Sequence, residues 1–239
     1  MIKAIFFDLY GTLVGFHPSR FEIQSLACER FGLSPSPEGI LKGYGIADAF
    51  MTKQNTLMPV RKMDQKEAFY FFCKYERLVL SGSDIEVDLD KAGKIWNHIK
   101  TIPYDLNIYE DVIPVLKDLR CQGVKVGLLS NMNQSGNSLI EKFGLENLVD
   151  FAVTSSDVRS EKPHAPMFME ALRQAGSTIA TSVHVGDQID SDIKGASDLG
   201  IYPVLIDRDD IHKCFNACPR IKNLPEIHDV LESLSLIHI

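Results

Sequence analysis

Five polar residues, spread along the chain, have the types and the order of a site that displaces a leaving group from an anionic centre. Asp8 and Asp187 each follow a short apolar run, as do Ser130 and Asn131, and Lys162 lies in a loop stiffened by prolines. A carboxylate can attack such a centre and form a covalent intermediate that water then hydrolyses. The sequence therefore indicates Asp8 as a candidate nucleophile.

The same residues supply the charges that this chemistry needs. Two carboxylates, Asp8 and Asp187, can hold one Mg²⁺, a hard cation that prefers oxygen ligands and that screens repulsion between the nucleophile and an anionic substrate. The Ser130 hydroxyl, the Asn131 backbone N–H and the Lys162 ammonium can hold the remaining substrate oxygens. We therefore expect Mg²⁺ as the cofactor and a small anionic molecule as the substrate.

Two further residues are predicted to complete the site. Thr12, in the glycine turn that follows the nucleophile, can donate to the substrate or support the nucleophile. Asp192, five residues beyond Asp187, can reach back from the next helix to orient Lys162 or a metal-bound water. Each residue alone has an ordinary explanation in turn formation or surface charge. Their order along one chain favours a common site.

The elements that must position these residues alternate between strand and helix. The first apolar run, residues 2–7, is typical of a strand buried on both faces of a parallel sheet. Beyond residue 103 further strands are predicted at residues 124–129, 151–155, 182–185 and 202–206. Helices are predicted at residues 111–122, 135–143, 166–175, 190–199 and 225–234. This alternation predicts an α/β fold with a doubly wound parallel sheet, whose strand ends meet in one crevice.

Residues 16–101 have a different pattern. Apolar residues recur with the period of a helix, turn-forming segments interrupt them, and no buried-strand run appears. A connection of this length is too long for a simple strand-to-helix loop. We therefore expect an all-helical cap domain at residues 16–101, inserted into a catalytic core formed by residues 1–15 and 102–239.

The composition of the chain indicates which classes of binding partner and which cellular compartment to expect. The formal net charge of −7 and the dispersed lysines and arginines argue against nucleic acid as a partner. No apolar stretch reaches bilayer length, so no membrane association is expected. Five cysteines without framework spacing, and an N-terminal apolar run that ends at Asp8, favour a cytoplasmic protein without a signal peptide. We expect a monomer or a homodimer.

The segments that carry these residues resemble the four motifs of the haloacid dehalogenase (HAD) superfamily of aspartate-nucleophile hydrolases. They read DLYGTLV, LLSNMN, EKP and HVGDQIDSDIKGA in this chain. The resemblance covers the core and the inserted helical block, and it implies a Rossmann-like core with Asp8 as nucleophile. It also implies that Thr12 and Ser130 bind the substrate anion while Lys162 stabilises its charge.

The resemblance further implies a ligand set and a substrate lining. Mg²⁺ would be held by the side chains of Asp8 and Asp187 and by the main-chain carbonyl of Tyr10. Tyr10, Gly11 and Asn131 would line the substrate site.

One departure from the family pattern affects the subclass. Most phosphatases of the superfamily carry a second aspartate two residues after the nucleophile, where it protonates the leaving oxygen; here that residue is Tyr10. A phenol with a pKa near 10 is a poor general base at neutral pH. The Asp-x-Tyr-Gly-Thr-Leu pattern instead resembles the superfamily's 2-haloacid dehalogenases, whose halide leaving group needs no proton.

Other features resemble the phosphatases. The dehalogenases lack the Gly-Asp pair of the last motif, which this chain keeps at Gly186 and Asp187. They also use a cap arginine to hold substrate, and this chain has no arginine from residue 33 to residue 60, where we would expect it; Lys42 and Lys53 are weaker substitutes. Two carboxylates close together are costly without a cation between them, so the pair favours a metal-dependent enzyme.

The sequence thus predicts a Mg²⁺-dependent phosphatase that acts on a small phosphorylated metabolite with low or narrow activity. Metal-independent 2-haloacid dehalogenation is the alternative, and a weakly catalytic regulatory or binding member of the superfamily is a second one. The aromatic and methionine residues of the helical block are expected to form its core: Tyr44, Phe50, Met51 and residues 69–72. The pattern of the last residues, SLSLIHI, indicates no function.

Overall fold

A computed structural model, which describes residues 1–237, divides the chain into two compact units. One, here called the core unit, contains residues 1–15 and those from Asn107 onward. The other, here called the helical unit, spans Phe16–Leu106. The chain thus re-enters the core unit at residue 107, five residues later than the sequence suggests.

The strands found within residues 1–237 are short, and all but two of them belong to one sheet. In chain order they are β1 (Ala4–Phe7), β2 (Val14–His17), β3 (Asp105–Ile108), β4 (Lys125–Ser130), β5 (Phe151–Thr154), β6 (Ser182–Gly186), β7 (Tyr202–Ile206) and β8 (Arg220–Ile221). A six-stranded sheet has the order β5-β4-β1-β6-β7-β8, and its five strand pairings are all parallel. β2 and β3 form a separate two-stranded sheet.

The position of β1 explains where a site can form. Its four residues are fully buried, and it pairs with β4 on one side and β6 on the other, Phe7 lying opposite Leu128 and Val185. The chain winds outward from β1 in both directions, so the carboxyl ends of β1, β4 and β6 adjoin at the point where the strand order reverses. Such a point is where open α/β sheets bind ligands.

Four helices make up most of the helical unit: α1 (Arg20–Glu29), α2 (Pro37–Leu57), α3 (Gln65–Ser81) and α4 (Leu89–Ile99). Polar side chains fix their first turns, since Ser19 with Glu22 and Asp64 with Glu67 form capping boxes at α1 and α3. The expected all-helical character of this stretch holds between residues 18 and 104, where the remaining regular element is a short 3₁₀ turn at Val60–Lys62.

The core of the helical unit is aromatic, though less completely than predicted. Phe71 and Tyr75 are buried in a cluster against which Tyr44, Phe50, Met51 and Phe72 pack. Phe69 and Tyr70 lie outside it, with 40% and 52% of their surface exposed, so the expectation that the whole 69–72 run is core is wrong for these two. Consecutive residues on a helix point about 100° apart, so four in a row cannot all face inward.

A buried acid lies inside the helical unit. Glu76 on α3 is 1% exposed, and its Oε1 accepts a hydrogen bond from Gln24 Nε2 on α1 at 2.5 Å. Tyr44 Oη on α2 donates to Gln24 Oε1 at 3.2 Å. Glu76, Gln24 and Tyr44 are here called the Glu76 cluster.

The core unit carries the remaining helices: α5 (Val112–Cys121), α6 (Gly136–Lys142), α7 (Ser155–Val158), α8 (Ala165–Ala175), α9 (Lys194–Leu199) and α10 (Ile227–Ile237). Apolar residues of α8, α9 and the sheet form one cluster that includes Phe6, Leu129 and Phe168. The predicted α/β fold with a doubly wound, Rossmann-like core is confirmed. The predicted final helix continues to Ile237, while His238 and Ile239 of the SLSLIHI segment lie outside the described residues.

None of the helices described within residues 1–237 combines the length and the apolar character that crossing a membrane requires.

Candidate active site

The core unit brings Asp8, Lys162 and Asp192 together in its interior. Lys162 Nζ lies 2.6 Å from Asp8 Oδ1 and 2.6 Å from Asp192 Oδ1, and it donates to the Leu129 carbonyl at 3.0 Å. The three residues are 7%, 3% and 1% exposed. One ammonium therefore bridges two carboxylates that come from the end of β1 and from the segment after β6.

A third aspartate joins this group. Carboxylate oxygens of Asp8, Asp187 and Asp192 all lie within 4.8 Å of one another, and Asp187 is only partly buried. The set Asp8, Lys162, Asp187 and Asp192 is here called the aspartate–lysine cluster. Its three acids against one lysine leave an excess of negative charge, and its oxygen donors are those that Mg²⁺ prefers. The residues present therefore fit a hard divalent cation.

Two glycines are required for the aspartates to come this close. Gly11 has φ +81°, and a Cβ there would lie 2.3 Å from Asp187 Oδ2. A Cβ on Gly186 would lie 2.3 Å from Asp192 Cγ. A side chain at either position would displace an acid of the cluster. This steric restriction explains why glycine precedes Thr12 in the first motif and Asp187 in the last.

Asp192 is positioned by an irregular turn. The sequence predicts a helix from residue 190, but residues Ile189–Ile193 form a π-helical turn before α9 begins. Gln188 N, just before this turn, donates to Asp192 Oδ2 at 3.1 Å, and Ser191 Oγ, within it, lies 3.4 Å from the same oxygen. π turns are rare and occur frequently at functional sites. This one brings the carboxylate back toward Lys162.

His184 is a neighbour of the cluster that the sequence analysis missed. It is fully buried on β6, and its Nε2 lies 2.9 Å from Asp192 Oδ1. Burial is the largest influence on its pKa, which lies below the usual value although Asp192 opposes the shift. A polar residue between Val183 and Val185 in a buried strand was the available signal.

Asn131 has a structural contact that was not predicted. Its side chain brackets the main chain of Lys162, because Oδ1 accepts from Lys162 N at 2.7 Å and Nδ2 donates to the Lys162 carbonyl at 3.1 Å. Ser155 Oγ in turn donates to the Asn131 carbonyl at 3.0 Å. The end of β4 thus fixes the loop that presents the lysine.

Hydroxyl groups lie on the loops beside the cluster. Thr12 is fully buried, and its Oγ1 makes no hydrogen bond within residues 1–237. Ser130 is 2% exposed, and its Oγ accepts from Met132 N at 3.3 Å. Tyr10 is partly buried, and its hydroxyl oxygen is shielded from solvent. A buried donor such as Thr12 Oγ1 is a group that a ligand oxygen could satisfy.

The electrostatics assign different charge states to the members of the cluster. Burial raises the pKa of Asp8 to about 6 and outweighs the opposing effect of Lys162. Burial also disfavours the charged forms of Lys162 and Asp192. Their mutual contact outweighs it, so the pKa of Lys162 is raised and the pKa of Asp192 lies well below its usual range. Lys162 and Asp192 therefore form an ion pair, and the ionisation of Asp8 is more easily altered than that of Asp192.

This arrangement, a buried carboxylate beside a fixed ammonium group at the switch point of a parallel sheet, fits a hydrolase. The chain belongs to the haloacid dehalogenase-like hydrolases, whose family description matches residues 5–206.

The chain is similar in sequence to several characterised or named proteins, and the matched region is most of the chain in two cases below and about half of it in the third. It is 32% identical over 216 residues to haloacid dehalogenase-like hydrolase domain-containing protein 3 of Danio rerio, covering 89% of this chain and 88% of that protein. It is 32% identical over 212 residues to ribulose-1,5-bisphosphate 5-phosphatase of Halopiger xanaduensis, covering 87% and 85%. A match to glyceraldehyde 3-phosphate phosphatase of Methanopyrus kandleri is 34% identical over 128 residues, about half of each chain (53% and 54%).

Solved structures confirm the fold for both chemistries of the superfamily. A HAD phosphatase from Thermococcus onnurineus superposes with a TM-score of 0.55 at 20% identity, covering 96% of this chain and 98% of that one. A 2-haloacid dehalogenase from Pseudomonas syringae superposes with a TM-score of 0.57 at 22% identity, covering 98% and 99%. Since the fold serves both, it does not distinguish them.

Proposed function

We propose that this chain is a Mg²⁺-dependent phosphatase that acts on a small phosphorylated metabolite with low or narrow activity. The observation that carries the proposal is the approach of Asp8, Asp187 and Asp192 to within 4.8 Å around Lys162. A metal-independent reaction gains nothing from the third acid, whose charge adds to the repulsion. A divalent cation would balance it.

The residues of the core unit have complementary tasks in this reaction. An ionised Asp8 oxygen attacks phosphorus, and the bond from phosphorus to the leaving oxygen breaks, which gives an aspartyl phosphate. Water then cleaves that mixed anhydride and regenerates the carboxylate. Lys162 holds negative charge beside the attacked atom, and the Thr12 and Ser130 hydroxyls donate to phosphoryl oxygens. Asn131 keeps Lys162 in place through the two main-chain hydrogen bonds described above.

Mg²⁺ would be held by Asp8 and Asp187, with the main-chain carbonyl of Tyr10 as the further ligand that the resemblance implies. When bound, it supplies charge screening between the anionic nucleophile and the anionic substrate. Asp192 is already engaged by Lys162, Gln188 and His184, so its task is to orient Lys162.

The phosphatase names of the Halopiger and Methanopyrus relatives support the assignment, and their substrates indicate small sugar or triose phosphates as a class to screen. Tyr10 restricts that class. General acid–base catalysis is worth about 10²–10⁴-fold in rate, and a phenol supplies little of it at neutral pH. Substrates with good leaving groups, such as acyl or aryl phosphates, depend least on it.

The test is hydrolysis of p-nitrophenyl phosphate with Mg²⁺, with EDTA, and with Mg²⁺ restored. We expect turnover that EDTA abolishes and Mg²⁺ restores, and loss of that turnover in Asp187→Asn. Asp190→Asn is the matched control, because Asp190 is an exposed acid three residues away. Turnover that is unchanged by EDTA would contradict the metal mechanism.

Tyr10 is the specific observation that favours a second candidate, 2-haloacid dehalogenation. Its position and type match the dehalogenase pattern, and a halide leaves without a proton. Release of chloride from L-2-chloropropionate in EDTA, without phosphatase activity, would establish this candidate and reject the first.

A further inference from the structure

Arg208 holds the loop that carries the nucleophile. It lies two residues beyond β7, and its Nε and Nη2 both donate to the main-chain carbonyl of Thr12, at 3.1 and 2.8 Å. Thr12 belongs to the turn that follows Asp8. The guanidinium therefore fixes a backbone atom of the nucleophile loop, defined here as residues 8–13.

The same guanidinium is fixed from two other sides. Its Nη1 and Nη2 donate to the two carboxylate oxygens of Asp111 at 2.9 and 3.0 Å, and Asp111 Oδ2 also accepts from Leu224 N at 2.8 Å. The Arg208 Cζ lies 4.0 Å from the centre of the Tyr109 ring. Paired and stacked in this way, the side chain has little freedom to release the carbonyl.

A second contact secures the adjoining peptide. Tyr109 N donates to the Leu13 carbonyl at 3.1 Å, so two successive carbonyls of the nucleophile loop are held by the Arg208 and Tyr109 pair. The nucleophile loop ends two residues before residue 15, the last of the first core segment, and Tyr109 lies two residues after the chain re-enters the core unit. The segment where the chain leaves the core unit and the segment where it returns are thus hydrogen-bonded to each other within that unit.

We propose that Arg208 is a positioning residue for the nucleophile: it acts through the Thr12 carbonyl to keep the nucleophile loop, and with it the Asp8 carboxylate, in attacking geometry. A misplacement of about 1 Å can reduce a rate by 10²-fold. Lysine cannot replace the arginine, because its single ammonium group cannot donate at the same time to the Thr12 carbonyl and to both carboxylate oxygens of Asp111, as the planar guanidinium does. This inference rests on the proposed phosphatase function only where the test measures kinetics; the hydrogen-exchange measurement does not depend on it.

Arg220 provides a matched control. Like Arg208 it forms ion pairs, here with Asp207 Oδ2 and Asp210 Oδ1, both at 2.7 Å. Its side chain is similarly buried, 21% exposed against 14% for Arg208. No hydrogen bond described for Arg220 reaches the nucleophile loop. Replacing either arginine removes an ion pair near the end of β7, but only Arg208 contacts Thr12.

The experiment compares Arg208→Lys and Arg208→Gln with Arg220→Lys and Arg220→Gln. It measures p-nitrophenyl phosphate kinetics with Mg²⁺, melting temperature, and amide hydrogen exchange by mass spectrometry. For both Arg208 variants we expect kcat about 10²-fold lower with KM changed by less than about threefold. We also expect faster exchange in peptides that cover residues 9–15. The Arg220 variants should retain kcat and the exchange of that segment.

Equal losses of kcat in the Arg208 and Arg220 variants, or exchange of residues 9–15 that matches the wild type in Arg208→Lys, would overturn the inference. Inactivity of the wild-type enzyme would contradict the proposed function instead. In that case the exchange measurement still decides whether Arg208 holds the loop.

Discussion

Two regions of the molecule bury carboxyl groups, and they treat the charge in opposite ways. In the aspartate–lysine cluster of the core unit, Lys162 contacts both Asp8 and Asp192 at 2.6 Å, which keeps Asp192 ionised. In the Glu76 cluster of the helical unit, the partner of the acid is the neutral amide of Gln24. Burial raises the pKa of Glu76 to about 7, so a proton neutralises this acid as the pH falls below neutral.

The difference separates a site built for charge from a buried polar contact. The core cluster lies where three parallel strands end, has more acids than bases, and includes the partly exposed Asp187. The Glu76 cluster lies between helices, and a proton neutralises its acid. We expect the first to control catalysis and the second to control only the dependence of stability on pH.

The largest effect that we expect is on catalysis, from Asp8→Asn. The amide cannot attack phosphorus, so kcat for p-nitrophenyl phosphate should fall by about 10⁴-fold or more. Glu76→Gln removes the other buried acid with a matched change and should leave kcat within about twofold. Similar losses in both variants, measured by steady-state kinetics, would remove the distinction between the two clusters.

Lys162→Met should cause the largest loss of stability. It leaves Asp8 and Asp192 buried without a counter-charge, which costs about 3–5 kcal/mol of unfolding free energy. Both acids then have raised pKa values in the folded state, so the loss is full at pH 8 and diminishes as the pH falls and protons neutralise them. Urea unfolding at pH 8 and pH 5 measures this.

The control for that variant is Lys194→Met, which removes an exposed lysine. It should change the unfolding free energy by less than about 0.5 kcal/mol at either pH. A loss for Lys162→Met that does not depend on pH would mean that packing, and not charge, is the reason for it.

Glu76→Gln should stabilise the protein, and only at higher pH. The pKa of Glu76 is raised from 4.5 to about 7 in the folded state, so its contribution is full below pH 4.5 and is lost as the pH rises through 7. The amide carries no charge, so the variant should gain up to about 3 kcal/mol at pH 8 and nothing at pH 4. Glu86→Gln, at an exposed glutamate, is the matched control. A gain in stability for Glu76→Gln at pH 4 would refute the account.

The smallest effect concerns the position of the missing general acid. Tyr10→Asp introduces a carboxyl where most phosphatases of the superfamily have one, and it should raise kcat for substrates with poor leaving groups by about 10-fold, below the full range of 10²–10⁴. A rise that is equal for p-nitrophenyl phosphate and alkyl phosphates would contradict this, because an aryl leaving group needs the proton least.

The regular part of the core unit could be predicted because its strands are continuous apolar runs. The segment 202–206 matches β7 at both ends, and residues 182–185 differ from β6 by one residue. The two residues of β8 and the single turn of α7 are too short for a pattern to show.

Asp8, Ser130 and Asp187 were predicted to converge because each follows a buried strand or ends one, but the contacts within the candidate site were not predicted. The bracket that Asn131 forms around Lys162 joins residues 31 positions apart, and Arg208 reaches Thr12 across 196. Such pairings depend on how the loops pack. The exposure of Phe69 and Tyr70 was missed for a simpler reason, since composition does not tell which face of a helix is buried.

The most direct test of the central claim is anomalous diffraction from crystals soaked in Mn²⁺, a hard cation that can replace Mg²⁺. We predict a peak between the carboxylates of Asp8 and Asp187 in the wild-type enzyme, and its loss in Asp187→Asn. The absence of a peak between them, together with phosphatase activity that survives EDTA, would contradict the claim that a divalent cation bridges the nucleophile to Asp187.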